Sequence, residues 1–336
     1  MGKSSGCGKV AKASNMIGEQ IQIGIEEGCK VLPFTLAFCF AFRLVKFPDL
    51  GITSILTLGG ACFVMLANAK VPITVCLIVA TFSGLVGACT NGILFIRLRV
   101  QPLLSSILTM FLLYGVALLV LNRQATVTLQ SKVKFTEWHC GGVAVLLSLV
   151  LAIFLASKRG LKLRFAGEKP ILLSQIGIDP RKSYFVMMCL GGLLAALAGA
   201  MLCGVDGGVS INKGKDYLFS AMIALIIGEG ICTMIASGWI AITPRISGFL
   251  PHWLLTGVHV LWSCLSGTSA AVALSAALVG GIMERVIYQL TVFYWKADVF
   301  TNAATGVLAA GLLLFSRVFS RKRRFVSDWN FHDRIG

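Results

Sequence analysis

Few residues in this 336-residue chain pair a reactive type with a setting that would put it to use. Asp49 follows Pro48 at a helix break, Asn91 lies inside an apolar run, and Glu229 closes another. Polar and acidic groups in such surroundings are costly and are functional candidates by default. The chemistry open to them is recognition and charge pairing. Asp49 and Glu229 would line a polar path or pair with a basic partner such as Arg43; Asn91 would line a path or make a helix–helix hydrogen bond. The adjacent Glu284 and Arg285 predict an interfacial or interhelical pairing. His139, His252 and His259 are scattered without metal-ligand spacing and read as interfacial. The 11 cysteines are odd in number, form no C-x-x-C pair and mostly sit in apolar runs, so they read as small packing residues. Gly2-Lys3-Ser4 lacks the upstream glycine of a phosphate loop, Gly8-Lys9 is followed by Val10, and there is no H-E-x-x-H. The expectation is a chain that is not an enzyme and binds no metal or cofactor of its own.

The elements that would position these residues are membrane helices. Hydrophobic residues make up 57% of the chain and charged residues 13%, with mean hydropathy +0.85. A soluble domain is nearer 45–50% apolar and ~25% charged, because it must cover its core with polar groups. Lipid removes that requirement. The net charge of +16 follows the positive-inside pattern, since the basic residues sit between apolar segments and near the C-terminus. No soluble segment is long enough to gather them on one face, so nucleic acid is not an expected partner.

A helix needs ~20 residues to cross the ~30 Å hydrocarbon layer. Candidate spans fall near 28–45, 51–69, 72–96, 103–121, 141–157, 183–203, 218–236, 249–265, 270–292 and 300–319. The expected fold is therefore an all-α, polytopic transmembrane helical bundle of about 8–10 spans. Residues 51–69 contain Gly59-Gly60 and are a candidate for a broken or re-entrant helix. Residues 1–27 read as an N-terminal extension without a secretory signal, 28–320 as the transmembrane domain, and 321–336 as a basic cytoplasmic tail. The polar stretch 158–182 carries seven basic residues against Glu168 and Asp179, which places it in the cytoplasm. By parity 122–140 and 204–217 face outward. Lys3, Lys9 and Lys12 place the N-terminus inside, whereas parity places it outside if 51–69 crosses.

Residues 160–202 carry Ala166-Gly167-Glu168, Gly177-Ile178, Arg181-Lys182 and a Gly/Ala-rich run at 191–200. This order resembles the signature loop of permease subunits of bacterial ATP-binding-cassette importers of the branched-chain amino acid and sugar class. Phe47-Pro48-Asp49-Leu50, the segment 97–114, Ile226-Ile227-Gly228-Glu229 and Arg285-Val286-Ile287-Tyr288 resemble its tryptophan/tyrosine-type subgroup. Residues 231–281 look like an insertion relative to that subgroup.

The resemblance implies a membrane-spanning permease of the bacterial cytoplasmic (inner) membrane. It would carry a small polar solute, such as an amino acid, by alternating access. Cytoplasmic ATPase subunits would hold ATP and Mg. A second permease copy (a homodimer) and an external solute-binding protein would complete the assembly, with membrane lipid around it. The loop 158–182 would receive the ATPase's motion through Ala166, Gly167, Glu168, Pro170, Leu173, Gly177 and Ile178. Gly167 and Pro170 suit its entry turn, and Gly177 and Pro180 its exit. Asp49, Asn91 and Glu229 are the substrate-pathway candidates. The rivals are a stand-alone secondary transporter, which calls for several intramembrane carboxylates, and a membrane-embedded enzyme or assembly factor, which calls for polar residues clustered at one depth.

Overall fold

The computed structural model describes residues 4–44, 49–98, 100–130, 135–168, 175, 177, 179–246, 269–295 and 311. The candidate spans 249–265 and 300–319 (save 311), the tail 321–336, and Pro170, Leu173 and Ile178 lie outside the described residues. The elements are α1 (Ser4–Cys39), α2 (Ile52–Asn68), α3 (Ile73–Gly92), α4 (Pro102–Val120), α5 (Glu137–Ala156), α6 (Lys158–Glu168), α7 (Pro180–Asp206), α8 (Lys213–Ile246) and α9 (Ser269–Trp295). Two π-helical turns, Phe40–Leu44 and Ile93–Arg97, prolong α1 and α3. Two three-residue strands, β1 (Thr126–Thr128) and β2 (Gly208–Ser210), add a small ribbon to the helical bundle.

Helix α7 is the central helix, because small residues let its neighbours touch its backbone. Ala195, Ala196, Ala198 and Ala200 are buried. Gly192 lies against the Gly84 backbone of α3, and Gly199 against the Leu56 backbone of α2; no side chain fits at either position. Gly59 and Gly60 are packed against Ala196, Gly199 and Cys203 of the same helix. These two glycines therefore serve close packing: α2 is one unbroken helix of 17 residues, not a broken or re-entrant one. Likewise Gly228 meets the Ala276 backbone and Gly280 the Ala224 backbone, which brings α8 and α9 together.

Large apolar residues point away from this packed centre. Ile78, Phe82 and Val86 of α3 are exposed, as are Leu104, Phe111 and Leu119 of α4 and Leu146, Leu149 and Ile153 of α5. A periphery of this kind needs an apolar solvent. Five described helices are long and apolar enough to cross a membrane, and α2 is a shorter apolar helix.

The two ends of the bundle are distinct. At one end β1 pairs antiparallel with β2, in the register Thr126↔Ser210, Val127↔Val209 and Thr128↔Gly208. Asn68, at the end of α2, donates to Thr128 O over 3.0 Å and accepts from Gln130 N over 2.8 Å. Residues 122–130 and 207–212 thus share an end with the end of α2, as outward-facing segments should. Basic α6 lies at the other end, where Leu163 packs with Phe40, Leu155 and Met187. The positive-inside rule makes that end cytoplasmic.

Because α2 crosses, α1 enters from the outer end. Its Lys30 reaches Asp206 there over 3.0 Å. Residues 4–27 are not separate from the first span but continue into it as one helix of 36 residues, about 54 Å long.

Candidate functional site

Three places bring chemistry-bearing residues together. The first is a buried polar node at the cytoplasmic ends of α2, α3 and α4. Asp49 lies in the connection ahead of α2, where its Oδ1 accepts from Gly51 N over 2.9 Å. The same oxygen accepts from Asn91 Nδ2 of α3 over 2.9 Å. Asn91 Oδ1 in turn accepts from Ser105 Oγ of α4 over 2.6 Å. Asn91 and Ser105 are fully buried. Burial raises the Asp49 carboxyl to about 6, although hydrogen bonds from Gly51 and Asn91 pull the other way. The cavity beside Asp49, between α1, α2 and α7, measures about 10 Å³, room for one water and not for a solute. Two of the three pathway candidates thus meet each other. Glu229 belongs to α8, which carries none of this node's hydrogen bonds, and is half-buried there.

The second place is the cytoplasmic helix α6. Its start presses on the end of α5, where Gly160 sits so close to Phe154 and Leu155 that no side chain fits. Leu163 and Ala166 are buried, and Ala166 O accepts from Tyr184 Oη of α7 over 2.9 Å. Ala166, Gly167 and Glu168 are the last turn of this helix and not the turn that the sequence pattern suggested. The helix persists because Ala166 is held by α7. Gly177 adopts φ +80°, a left-handed conformation natural to glycine, ahead of α7. Asp179 then caps α7 by accepting from Arg181 N over 3.0 Å, with Pro180 in its first turn.

The third place was only partly visible in sequence. At the outer end, Asp206 binds Lys30 of α1 over 3.0 Å and Lys213 of α8 over 2.7 Å, and accepts from Tyr217 Oη over 3.2 Å. Glu27 adds a second partner to Lys30 at 2.8 Å. Next to this network α8 and α9 flank a half-open polar cavity of about 330 Å³. From α8 it is lined by Lys213, Asp216, Tyr217 and Ser220, and from α9 by Glu284, Arg285 and Tyr288. The expected Glu284–Arg285 pairing is present at 3.2 Å and is joined by Ser220, which donates to Glu284 over 3.0 Å and accepts from Arg285 over 3.0 Å. The contributions of Lys213, Tyr217 and Ser220 had no local sequence signal, because they come from a different helix. Among the described residues no group of three or more His, Cys, Asp or Glu could hold a metal.

The model of a family described as the branched-chain amino acid transport system permease component matches residues 32–317. The tyrosine transport system permease protein of Clostridioides difficile is 23% identical over 199 residues, covering 57% of this chain and 67% of that protein. An uncharacterised protein of Rickettsia prowazekii is 27% identical over 217 residues, covering 62% and 76% respectively. The galactofuranose transporter permease protein of Escherichia coli is 26% identical over 194 residues, covering 54% of this chain and 56% of that protein. No solved structure matches the chain. The matched segment takes in the node, α6 and the outer cavity alike, and the chain belongs to the family of branched-chain amino acid transport system permease components.

Proposed function

We propose that this chain translocates a small polar solute by alternating access, driven by separate ATPase subunits that act through α6 and the residues after it. As a member of its family it is a transport subunit, not an enzyme in itself, and a multi-pass protein of the bacterial cytoplasmic (inner) membrane. The observation that carries the proposal is the seating of α6. A lever must be rigidly joined to what it moves. Gly160 and Leu163 fasten this helix to α5 and the core, and the Ala166–Tyr184 hydrogen bond fastens it to α7. A push on 158–168 is therefore delivered to the central helix, whose Gly/Ala face touches α2 and α3 directly.

The ATPase partners would hold ATP and Mg, a second copy of this chain would complete a homodimer in the lipid, and an external solute-binding protein would deliver the solute to the outer end. ATP binding would close the cytoplasmic side, and hydrolysis would reset it. The relatives named for tyrosine and galactofuranose support a solute of amino-acid or sugar size.

The test is an affinity pull-down of the tagged chain from gently solubilised membranes, comparing wild type with Gly167→Asp plus Glu168→Lys. Co-purification of an ATPase by wild type, and its loss in a variant that remains folded, is the expected result. Absence of any ATPase under conditions that preserve a known importer complex would overturn the proposal.

A further inference from the structure

The outer cavity has a composition that selects among solutes. Its four charged residues are two cations, Lys213 and Arg285, and two anions, Asp216 and Glu284. The lining is therefore neutral in sum but two-signed. A free anion or cation would meet an opposing charge for every favourable one, whereas a molecule bearing both signs meets a partner at each end.

The cationic end is built for a carboxylate. The Arg285 guanidinium lies over the Tyr217 ring at 5.8 Å and the Tyr288 ring at 5.5 Å. Two aromatic contacts orient a planar fork that suits bidentate carboxylate recognition. Its donors are not all used. Arg285 Nε is buried and, although 3.2 Å from Glu284 Oε2, donates no hydrogen bond to a described residue. An Nε buried to this degree lies out of a solute's reach, so a bound carboxylate would meet the Nη groups of the guanidinium. At the anionic end the Glu284 side chain is 4% exposed and held by Ser220, while Asp216 stands exposed at the first turn of α8. At about 330 Å³ the cavity falls within the ~300–1,000 Å³ range of small-molecule sites.

We infer that the cavity between α8 and α9 is a recognition site for a zwitterionic solute, a single free amino acid. Its carboxylate faces Arg285 and Lys213, its ammonium faces Glu284 and Asp216, and its side chain lies along Tyr217 and Tyr288. A neutral sugar would bring only neutral hydrogen-bonding groups to a lining of two signs. The inference rests on the permease reading and places the first solute contact at the outer end. There Tyr217 also hydrogen-bonds Asp206, so occupancy is coupled to the ion pairs that join α1, α7 and α8.

The experiment uses the full-length chain purified with whatever ATPase accompanies it and reconstituted in lipid nanodiscs. Equilibrium binding is measured for each of the twenty standard amino acids, for the methyl ester and the deaminated acid of any that bind, and for galactose and fructose. The expected result is saturable binding of at least one amino acid. Both its ester and its deaminated acid should bind about 10- to 100-fold more weakly, the worth of one charge-assisted hydrogen-bonded contact. Arg285→Lys keeps the charge and the fold's ion pair but loses the fork, and should weaken binding by a similar factor. Glu284→Gln should weaken the amino acid while sparing the deaminated acid. Binding of a sugar with no amino acid, equal binding of acid and ester, or no binding at all in a preparation that retains its ATPase overturns the inference and leaves the permease reading intact. Loss of the ATPase itself counts against the permease reading instead.

Discussion

Asn91 gives its side-chain N–H to Asp49 Oδ1 over 2.9 Å and takes a hydrogen bond from Ser105 Oγ over 2.6 Å. One amide thus joins the connection ahead of α2 to the end of α3 and the beginning of α4. Replacing Asn91 by Leu takes one hydrogen bond from a buried carboxylate, which keeps Gly51 N, and one from the buried Ser105 hydroxyl, which keeps the backbone oxygen at 91. We expect a loss of about 1–3 kcal/mol, read as a lower midpoint of thermal unfolding in detergent. Asp49→Ala and Asn91→Ala together should cost less than the sum of the single changes, because the two residues share one interaction. Strict additivity would show that the node is not coupled.

The same carboxyl makes stability depend on pH. Its pKa in the fold is about 6, above the ordinary 3.8, so the folded chain binds this proton more tightly than the unfolded chain does. Lowering the pH through 6 toward 4 therefore adds stability from this group, and raising it above 6 removes it. Asp49→Asn keeps an acceptor for Gly51 and Asn91 without the charge. It should exceed wild type in stability by about 3 kcal/mol at most near pH 8, with the gap closing near pH 4. Unfolding curves for the two proteins that stay parallel across this window would exclude a raised Asp49.

Asp206 holds two lysines at the outer end, Lys30 at 3.0 Å and Lys213 at 2.7 Å, all with little side-chain exposure. Asp206→Asn takes from Lys213 the carboxylate that holds it and leaves Lys30 with Glu27 alone, so it should destabilise the chain by about 3 kcal/mol. Lys213→Met should cost less, because Asp206 keeps Lys30. The order of the two unfolding midpoints checks this.

Close packing at Gly199 leaves no room for a Cβ against the Leu56 backbone, while Gly142 of α5 has nothing within contact. Gly199→Val should abolish accumulation of folded protein in membranes. Gly142→Ala should be neutral or stabilising by up to about 1 kcal/mol, the helix-propensity gain. Expression and size-exclusion profiles distinguish them.

Tyr184→Phe removes the hydrogen bond to Ala166 O and keeps the edge-on contact with Phe95. The chain should fold with a cost of about 1 kcal/mol and retain its ATPase, while uptake per ATP hydrolysed falls. Unchanged coupling would show that α6 moves α7 through packing alone.

The sequence by itself settled the solvent, the class and the family. Apolar runs of membrane length have no other place to go, and basic residues mark one side. It located eight described helices to within a few residues at most ends. It missed that α1 reaches back to Ser4 and that α8 runs on to Ile246, because polar residues ahead of the first apolar run, and Pro244 and Arg245 after the other, interrupt the apolar pattern from which the spans were read. It named Asp49, Asn91, Glu284 and Arg285 because a polar group in an apolar run stands out. It predicted a pairing for Glu284 and Arg285 but left open whether Asp49 and Asn91 faced a path or a partner, since that depends on which residue of another helix lies opposite. Tertiary structure alone decided that Asp49 meets Asn91, that Gly59 and Gly60 are contact points and not a break, and that Ser220 and Tyr217 join Glu284 and Arg285. These are meetings between helices far apart in the chain. Their register comes from where small residues let backbones touch, and no local pattern encodes that.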